Sequence, residues 1–406
     1  MLLLILSLLY INKNPIILVP GAFRTRLAVT VTSQEKLPNC PKNKTYFPFW
    51  ISFKMIFTGK VRCMVNWITL DYDYKNKKII DQPNITVTPI DFGGVEGIRG
   101  TGERIFGKPQ PSYYDKIIKL LEKKNYAVGE TIYGAPYDWR YGVSQPEIFW
   151  ANLTRLVEEA YNKTNKKVKF LTHSFGGCIV HKFLTEMTKP EWRQKYIHSA
   201  VLSAPSFSGS GEALISLYRQ RLPFLKFYKT DELKEMVGSL GGFHVHIPNS
   251  AIFENETVFF TPDGEKINGR HIIEFLAKHQ KLTEKQLKIA EQNIRYFSVF
   301  PASFDVPVRI HYNSGIQTVF GLELSDWKSE GKIIRRRGDG LVMSEGIEML
   351  CEKMKSEGRD VECVDINSSS IFSRHPLLVL RDKYIKVLLD WLTNQPTLSD
   401  SLNKEL

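Results

Sequence analysis

The sequence predicts an α/β fold: a mostly parallel central sheet with helices on both faces, plus two inserted cap or lid regions. Three observations carry this. Apolar runs of strand length, such as KVKFL at 167–171, alternate with amphipathic helical patterns such as PEIFWANLTRLVEEAYNKT at 146–164, the rhythm of strand–helix–strand units. That rhythm breaks twice, at 37–67 and at 207–295, and resumes after each break. With 406 residues, 43% of them hydrophobic and 24% charged, the chain suits one large folded unit with insertions rather than a disordered one.

Taken in order, MLLLILSLLY is too short to span a bilayer and reads as a signal-like segment over 1–13. NPIILVPGAF is a buried strand opening into a loop at Pro20-Gly21. The stretch 37–67 is crowded with aromatics, including Tyr46, Phe47, Phe49, Trp50, Phe53, Phe57 and Trp67, and reads as an inserted cap. Helix, strand and helix follow in YYDKIIKLLEKKNY, GETIYGAPYDWR and PEIFWANLTRLVEEAYNKTN, then strand KVKFLTHS, helix GGCIVHKFLTEM and strand IHSAVLSAPS. Residues 207–295, with LYRQRLPFLKFYK and the loop-rich SLGGFHVHIPNS, read as a mobile lid. The main unit returns with VPVRIHYNSG, RRRGDGLVMSEGIEML and VECVDIN and closes on the helix within RHPLLVLRDKYIKVLLDWLT, before a polar tail at 391–406. The main unit therefore runs over 14–390.

The net charge of +12 is spread along the chain, and its one tight cluster, Arg335-Arg336-Arg337, reads as a solvated loop without a nucleic-acid motif around it. No nucleic-acid partner, metal or cofactor is expected, since no Cys/His spacing has the pattern of a zinc site. Five cysteines in a chain entering the secretory pathway suggest two disulfides, and sequence proximity suggests Cys40 with Cys63 and Cys351 with Cys363, leaving Cys178 as a buried thiol. Asn43, Asn84, Asn152, Asn162, Asn255 and Asn367 head glycosylation sequons. NKEL at the C-terminus faintly resembles a retrieval signal.

Chemistry concentrates at T-H-S-F-G-G, residues 172–177. A serine between an apolar strand and a helix, followed by two glycines, has the context of a nucleophile elbow, although Thr172 stands where the first glycine of G-x-S-x-G is usual. Asp339 in GDG and His375 in SRHPLL follow later strands in the order Ser, acid, His of the α/β-hydrolase fold. Alone, Asp339 reads as a turn residue and His375 as a helix-entry residue; the ordered set points to a triad. His375 would take the proton of Ser174, Asp339 would hold the imidazole, and the backbone N–H groups of Ala22 and Phe175 would receive the oxyanion. Asp138 and Arg140 read as an ion pair fixing the loop beside the site, and Trp139 as core or pocket wall. His173 is expected to point to the opposite side of its strand, and His244 and His246 to have surface or structural roles.

ILVPG, APYDWR, HSFGG, GDG and the late histidine together resemble the lecithin:cholesterol acyltransferase family, which includes lysosomal phospholipase A with transacylase activity, over roughly 15–392. The resemblance implies that the Cys40–Cys63 loop is an aromatic membrane-binding cap, that a second disulfide lies between acid and histidine, and that phospholipids and lipid alcohols, sterol-like among them, are the substrates. It implies a peripheral membrane or lipoprotein-like surface, anionic by preference, and a secreted or lysosomal/vacuolar location. Two departures stand out: the GAFRTRL loop, and Phe175 where Leu or Met is common, which is expected to narrow the acyl pocket. The competing readings are a non-catalytic lipid carrier on the same fold and a hydrolase of soluble esters.

Overall fold

A computed structural model of the chain describes residues 13–33, 39–102, 104–105, 108–222 and 230–393. The signal-like segment up to residue 12, residues 37–38 of the aromatic stretch, 223–229 of the basic-aromatic run and the tail beyond 393 lie outside the described residues.

Six strands form one sheet in the order Val361–Asp365, Val308–Tyr312, Ile197–Ser203, Val168–His173, Ile16–Val19, Ile132–Gly134, and every neighbouring pair is parallel. The strands Ile16–Val19 and Val168–His173 are buried along their whole length, as parallel strands covered on both faces must be. Helix Glu147–Thr164 buries Phe149, Trp150, Leu153, Leu156, Val157, Ala160 and Thr164, the 3.6-residue spacing that turns one stripe to the sheet. Helix Asp382–Thr393 packs Ile385, Leu388 and Leu392 into a second cluster with Ile16, Leu18, Leu171 and Val201. The buried Lys169 donates to the carbonyls of Trp391 and Leu392 at 3.1 and 2.9 Å, satisfying groups that a helix end leaves without partners. Burial lowers its pKa to about 8.

Besides two short two-stranded ribbons, the described residues form two further sheets. Residues Lys44–Trp50, Leu27–Val31 and Ile85–Pro89 pair antiparallel, and the Cys40–Cys63 disulfide ties them to helices Phe53–Phe57 and Val61–Ile68. The aromatics of this region divide: Phe49 and Trp67 meet edge-on at 5.5 Å in the core, whereas Phe57 is 84% exposed. The other sheet, ordered Lys266–Asn268, Thr257–Phe260, Gly315–Glu323, Lys332–Asp339, joins strands from the 207–295 region to the strand that ends on Asp339.

Four local expectations differ from the structure. Arg335-Arg336-Arg337 is not a loop but part of strand Lys332–Asp339; Arg336 lies over Phe320 at 4.6 Å and pairs with Glu256 at 2.6 Å, so aliphatic stems and partners hold it extended. Asp339 does not follow Val308–Tyr312 directly, because the antiparallel pair Gly315–Glu323 and Lys332–Asp339 intervenes. SLGGFHVHIPNS is not wholly loop: it begins at the last residue of helix Asp231–Ser239 and contains Gly241–His244. The last helix starts at Asp382, separated from His375 by a short 3-10 turn. The second disulfide, Cys351–Cys363, joins helix Glu345–Ser356 to the outermost parallel strand, and Cys178 is a free buried thiol.

Candidate active site

Ser174 ends the central strand Val168–His173 and caps helix Phe175–Lys182 with φ 57° and ψ −129°. A serine with positive φ carries a strain of order 1–3 kcal/mol, and close packing enforces it. A side chain at Gly176 would place its Cβ 2.5 Å from the carbonyls of Val19 and Pro20, so the loop leaving the first strand crosses directly over the helix start. Gly177 sits 3.4 Å, from its missing Cβ, to Thr172 Oγ1. Pro205 is closer still, with its Cβ 2.7 Å from that position, so Gly177 lets the helix start pack against the loop after strand Ile197–Ser203.

His375 and Asp339 meet beside this turn. His375 Nδ1 lies 2.6 Å from Asp339 Oδ2, with both side chains buried. Asp339 Oδ1 accepts from the N–H groups of Leu341 and Val342 at 3.0 and 2.8 Å, which fixes the carboxylate. His375 Nε2 has no hydrogen-bond partner among the described residues. Since Nδ1 faces a carboxylate, it carries the proton, and Nε2 is left as a free acceptor. Ser174 and His375 line one cavity of about 650 Å³, walled by Ala22, Phe23, Trp50, Ile51, Phe53, Ala213 and Phe243 among others.

The GAFRTRL loop takes a defined shape. Arg24 N–H donates to Gly21 O at 3.2 Å and Phe23 has φ 62°, the pattern of a type II turn. Phe23 is held there by Trp139, Phe243 and Trp50, with ring centroids 4.4, 5.7 and 6.0 Å away, and its carbonyl accepts from Trp50 Nε1 at 3.1 Å. Because Gly21 O is engaged by Arg24, the peptide plane it shares with Ala22 is fixed. No acceptor among the described residues takes the N–H of Ala22 or Phe175. Two free donors beside a strained serine are what an oxyanion requires.

His173 differs from its expectation. Its Nε2 lies 3.1 Å from the carbonyl of His375 and its Nδ1 2.8 Å from Tyr113 Oη, while Tyr113 Oη accepts from Gly21 N at 3.0 Å. A carbonyl only accepts, so Nε2 carries the proton, and Tyr113 donates to Nδ1. Burial first, and the neighbouring His375 second, keep the His173 pKa well below its usual value. This network of Tyr113, His173 and Gly21 was not foreseen; only the pairing of an aromatic at 113 with a histidine beside the serine could have signalled it. His246 is not at the surface either: it lines the cavity and sits 3.2 Å from Ser206 Oγ, and burial lowers its pKa to about 4. His244 is buried against the Gly238 carbonyl at 2.8 Å. Phe175 does not wall the cavity. Its ring is fully buried behind His246, 4.6 Å away, and Tyr137.

Asp138 and Arg140 form the ion pair expected of them, at 2.6 Å, and Asp81 adds a second carboxylate at 2.6 Å. Burial opposes the charge of Arg140, but the two carboxylates outweigh it and raise its pKa. Trp139, fully buried, packs its ring against Trp50 at 5.0 Å, linking this loop to the aromatic segment.

A parallel sheet with a serine on a strained strand-to-helix turn, followed in sequence by an acid and a histidine that touch, defines an α/β-hydrolase. Residues 46–301 match the lecithin:cholesterol acyltransferase family, and the chain belongs to it. It is 31% identical to a lecithin-cholesterol acyltransferase-like protein of Arabidopsis thaliana over 48% of this chain and 49% of that one. It is 26% identical to phosphatidylcholine-sterol acyltransferase of Mus musculus over 54% of this chain and 50% of that one. Lysosomal phospholipase A and acyltransferase of Mus musculus is 25% identical over 61% of this chain and 60% of that one. The chain spans about half the length of the first of these relatives. A solved chain of the Tle4–Tli4 complex shares the fold, with a TM-score of 0.54, 12% identity and coverage of 92% of this chain and 96% of that one.

Proposed function

We propose that the chain is a serine-dependent lipid acyltransferase and phospholipase, in which Ser174 attacks an acyl ester of a phospholipid. The observation that carries the reading is the bond from Asp339 to His375, whose unpartnered Nε2 borders the same apolar cavity as Ser174. His375 takes the Ser174 proton as the oxygen attacks; Asp339 stabilises the resulting imidazolium. The N–H groups of Ala22 and Phe175 receive the oxyanion, and collapse of the tetrahedral intermediate, with His375 returning the proton to the leaving alcohol, gives an acyl-enzyme. A lipid alcohol, sterol-like in the family, or water then takes the acyl group by the reverse sequence. The relatives' names, phosphatidylcholine-sterol acyltransferase and lysosomal phospholipase A and acyltransferase, support both acceptors.

The aromatic segment 37–67 serves in this reading as a membrane-docking cap. Phe57 and Tyr46 are 84% and 49% exposed, and Lys54 and Lys60 flank Phe57, the mixture of apolar and basic groups that seats a protein on an anionic lipid or lipoprotein-like surface. Region 207–295 covers the cavity from the other side with Ala213, Phe243 and His246. The two disulfides fit an oxidising compartment such as the secretory pathway; within it, the reading is a secreted or lysosomal/vacuolar protein. Asn43, Asn84, Asn162, Asn255 and Asn367 are exposed and Asn152 half-buried, so all six sequons are open to glycans.

Ser174→Ala is the direct test. Fatty-acid release from phosphatidylcholine vesicles and fluorophosphonate labelling should both disappear. Retained release sinks the triad, and an unlabelled wild type would favour the lipid-carrier reading. Equal rates on vesicles and monomeric esters would favour a soluble-ester hydrolase.

A further inference from the structure

The cavity beside Ser174 is apolar over most of its wall, with one cation at its edge. Arg24 lines it, half-buried, three residues beyond Gly21. The missing Cβ of Gly21 would lie 3.0 Å from Ser174 Cβ, so the turn that carries Arg24 starts against the serine, and both residues line the one cavity. Its guanidinium stands over the Tyr113 ring at 5.4 Å, and its Nη1 is 3.3 Å from Thr101 Oγ1. No carboxylate lies within ion-pair distance of it among the described residues, whereas Arg62, Arg99, Arg140, Arg193, Arg309 and Arg336 each have at least one. Glu212, the other charged side chain on the cavity wall apart from the histidines, makes no ion pair with it.

Thr101 and the Tyr113 ring leave most of the guanidinium's five donors free, and no carboxylate among the described residues balances its charge. Its planar fork matches the oxygens of phosphate or carboxylate. The Gly21–Arg24 backbone bond fixes the start of the residue, and the Tyr113 ring and Thr101 Oγ1 hold its head group on the cavity wall.

We propose that Arg24 is a specificity-determining residue that pairs with the phosphodiester of the lipid whose ester Ser174 attacks. This rests on the phospholipid reading above and deepens it: the favoured substrate carries a negative phosphate a few covalent bonds from the scissile ester, in preference to a neutral glyceride of the same acyl chains. The phosphate completes the ion pair that the protein leaves open, and in doing so it sets the ester against the Ala22 and Phe175 donors.

The test compares wild type, Arg24→Gln and Arg24→Lys on phosphatidylcholine and on diacylglycerol with identical acyl chains, each dispersed in excess neutral-detergent micelles. The ratio of kcat/KM for phosphatidylcholine to that for diacylglycerol should fall at least about tenfold in Arg24→Gln, the scale of one charge-assisted bond, and recover in part in Arg24→Lys. An unchanged ratio overturns the proposal. A parallel fall on both lipids also overturns it, since that is the mark of a disturbed oxyanion turn. Flotation with phosphatidylcholine vesicles gives a further check: if Arg24→Gln loses vesicle binding by the same factor as it loses activity, Arg24 serves the membrane surface and the proposal falls. Wild type that cleaves neither lipid overturns the enzyme reading and this one together, whereas cleavage with an unchanged ratio overturns Arg24 alone.

Discussion

Tyr113→Phe removes a single oxygen and isolates the network behind the nucleophile. In the wild type that oxygen accepts from Gly21 N at 3.0 Å and donates to His173 Nδ1 at 2.8 Å, and all three residues are buried or nearly so. The variant leaves two buried polar groups without partners, at about 1–3 kcal/mol each, so a loss of about 2–6 kcal/mol of stability is expected. A typical domain holds roughly 5–15 kcal/mol, which keeps the variant folded. The catalytic effect is separate. Gly21 N is one peptide away from the Ala22 N–H, and losing an oxyanion donor outright costs about 10²–10³ in kcat. Loosening its anchor should cost part of that, about 10- to 100-fold in kcat, with KM within about twofold because the apolar wall is untouched. Urea denaturation reads the first quantity and micellar phospholipase kinetics the second. A variant destabilised as expected but with wild-type kcat would refute the positioning role; one with wild-type stability would refute the hydrogen-bond geometry itself.

Other expectations follow from the same geometry. Asp339→Asn keeps the shape but no longer secures the His375 tautomer, so kcat should fall by about 10⁴ with the melting temperature little changed; stopped assays with phosphatidylcholine check this. Arg140→Met leaves Asp138 and Asp81 facing each other without a cation, and a loss of about 3–5 kcal/mol in urea unfolding is expected. His173, His181, His244, His246 and His311 are buried, and burial lowers each pKa, to about 4 for the last four. The unfolded chain therefore binds more protons below about pH 6.5, and stability should fall as the pH drops from about 6.5 to 4, by up to ~1.4 kcal/mol per pH unit for each histidine; urea midpoints at pH 7.5 and 5.5 measure it, and a flat profile would contradict it. With a net charge of +12, vesicle binding should strengthen with anionic lipid and weaken from 50 to 300 mM salt, and Phe57→Ser should weaken it at every salt concentration.

The parallel core was legible in the sequence because strands buried on both faces carry short apolar runs: IILV is one throughout and VKFLTH holds Val168, Phe170 and Leu171, and both lie where the pattern placed them. The meeting of Asp339 with His375, beside a cavity that Ser174 also lines, was legible because the fold fixes the order of these positions along the chain. The path to Asp339 was not. RRRGDG reads as loop because its charges hide a strand in which Arg335 and Arg337 face solvent while Arg336 packs over Phe253 and Phe320 and pairs with Glu256 from a distant segment. The place of His173, and which of the two roles open to His246 it takes, were hidden for a related reason: a histidine's burial depends on which carbonyl or hydroxyl meets it, and those partners, His375 O and Ser206 Oγ, lie far away in sequence. The shape of GAFRTRL was hidden because Phe23 takes a backbone conformation it resists in isolation, and only the aromatic neighbours from three other segments compel it.

The sheet that ends on Asp339 has a consequence for how substrate enters. Strand Thr257–Phe260, from the region that roofs the cavity, pairs with Gly315–Glu323, and that strand pairs in turn with Lys332–Asp339. Helix Gly211–Arg219 starts against the same ribbon, where a side chain on Gly211 would strike the Phe320 backbone at 2.6 Å. Roof and acid are thus one rigid ribbon, and swinging the roof wide would drag the carboxylate off His375. The opposite rim, where Trp50, Ile51 and Phe53 border the cavity, belongs to a different sheet and to the disulfide-closed segment, and it can shift without moving Asp339. In the proposed function, a lipid would then enter past this aromatic rim while Asp339 and His375 keep their contact.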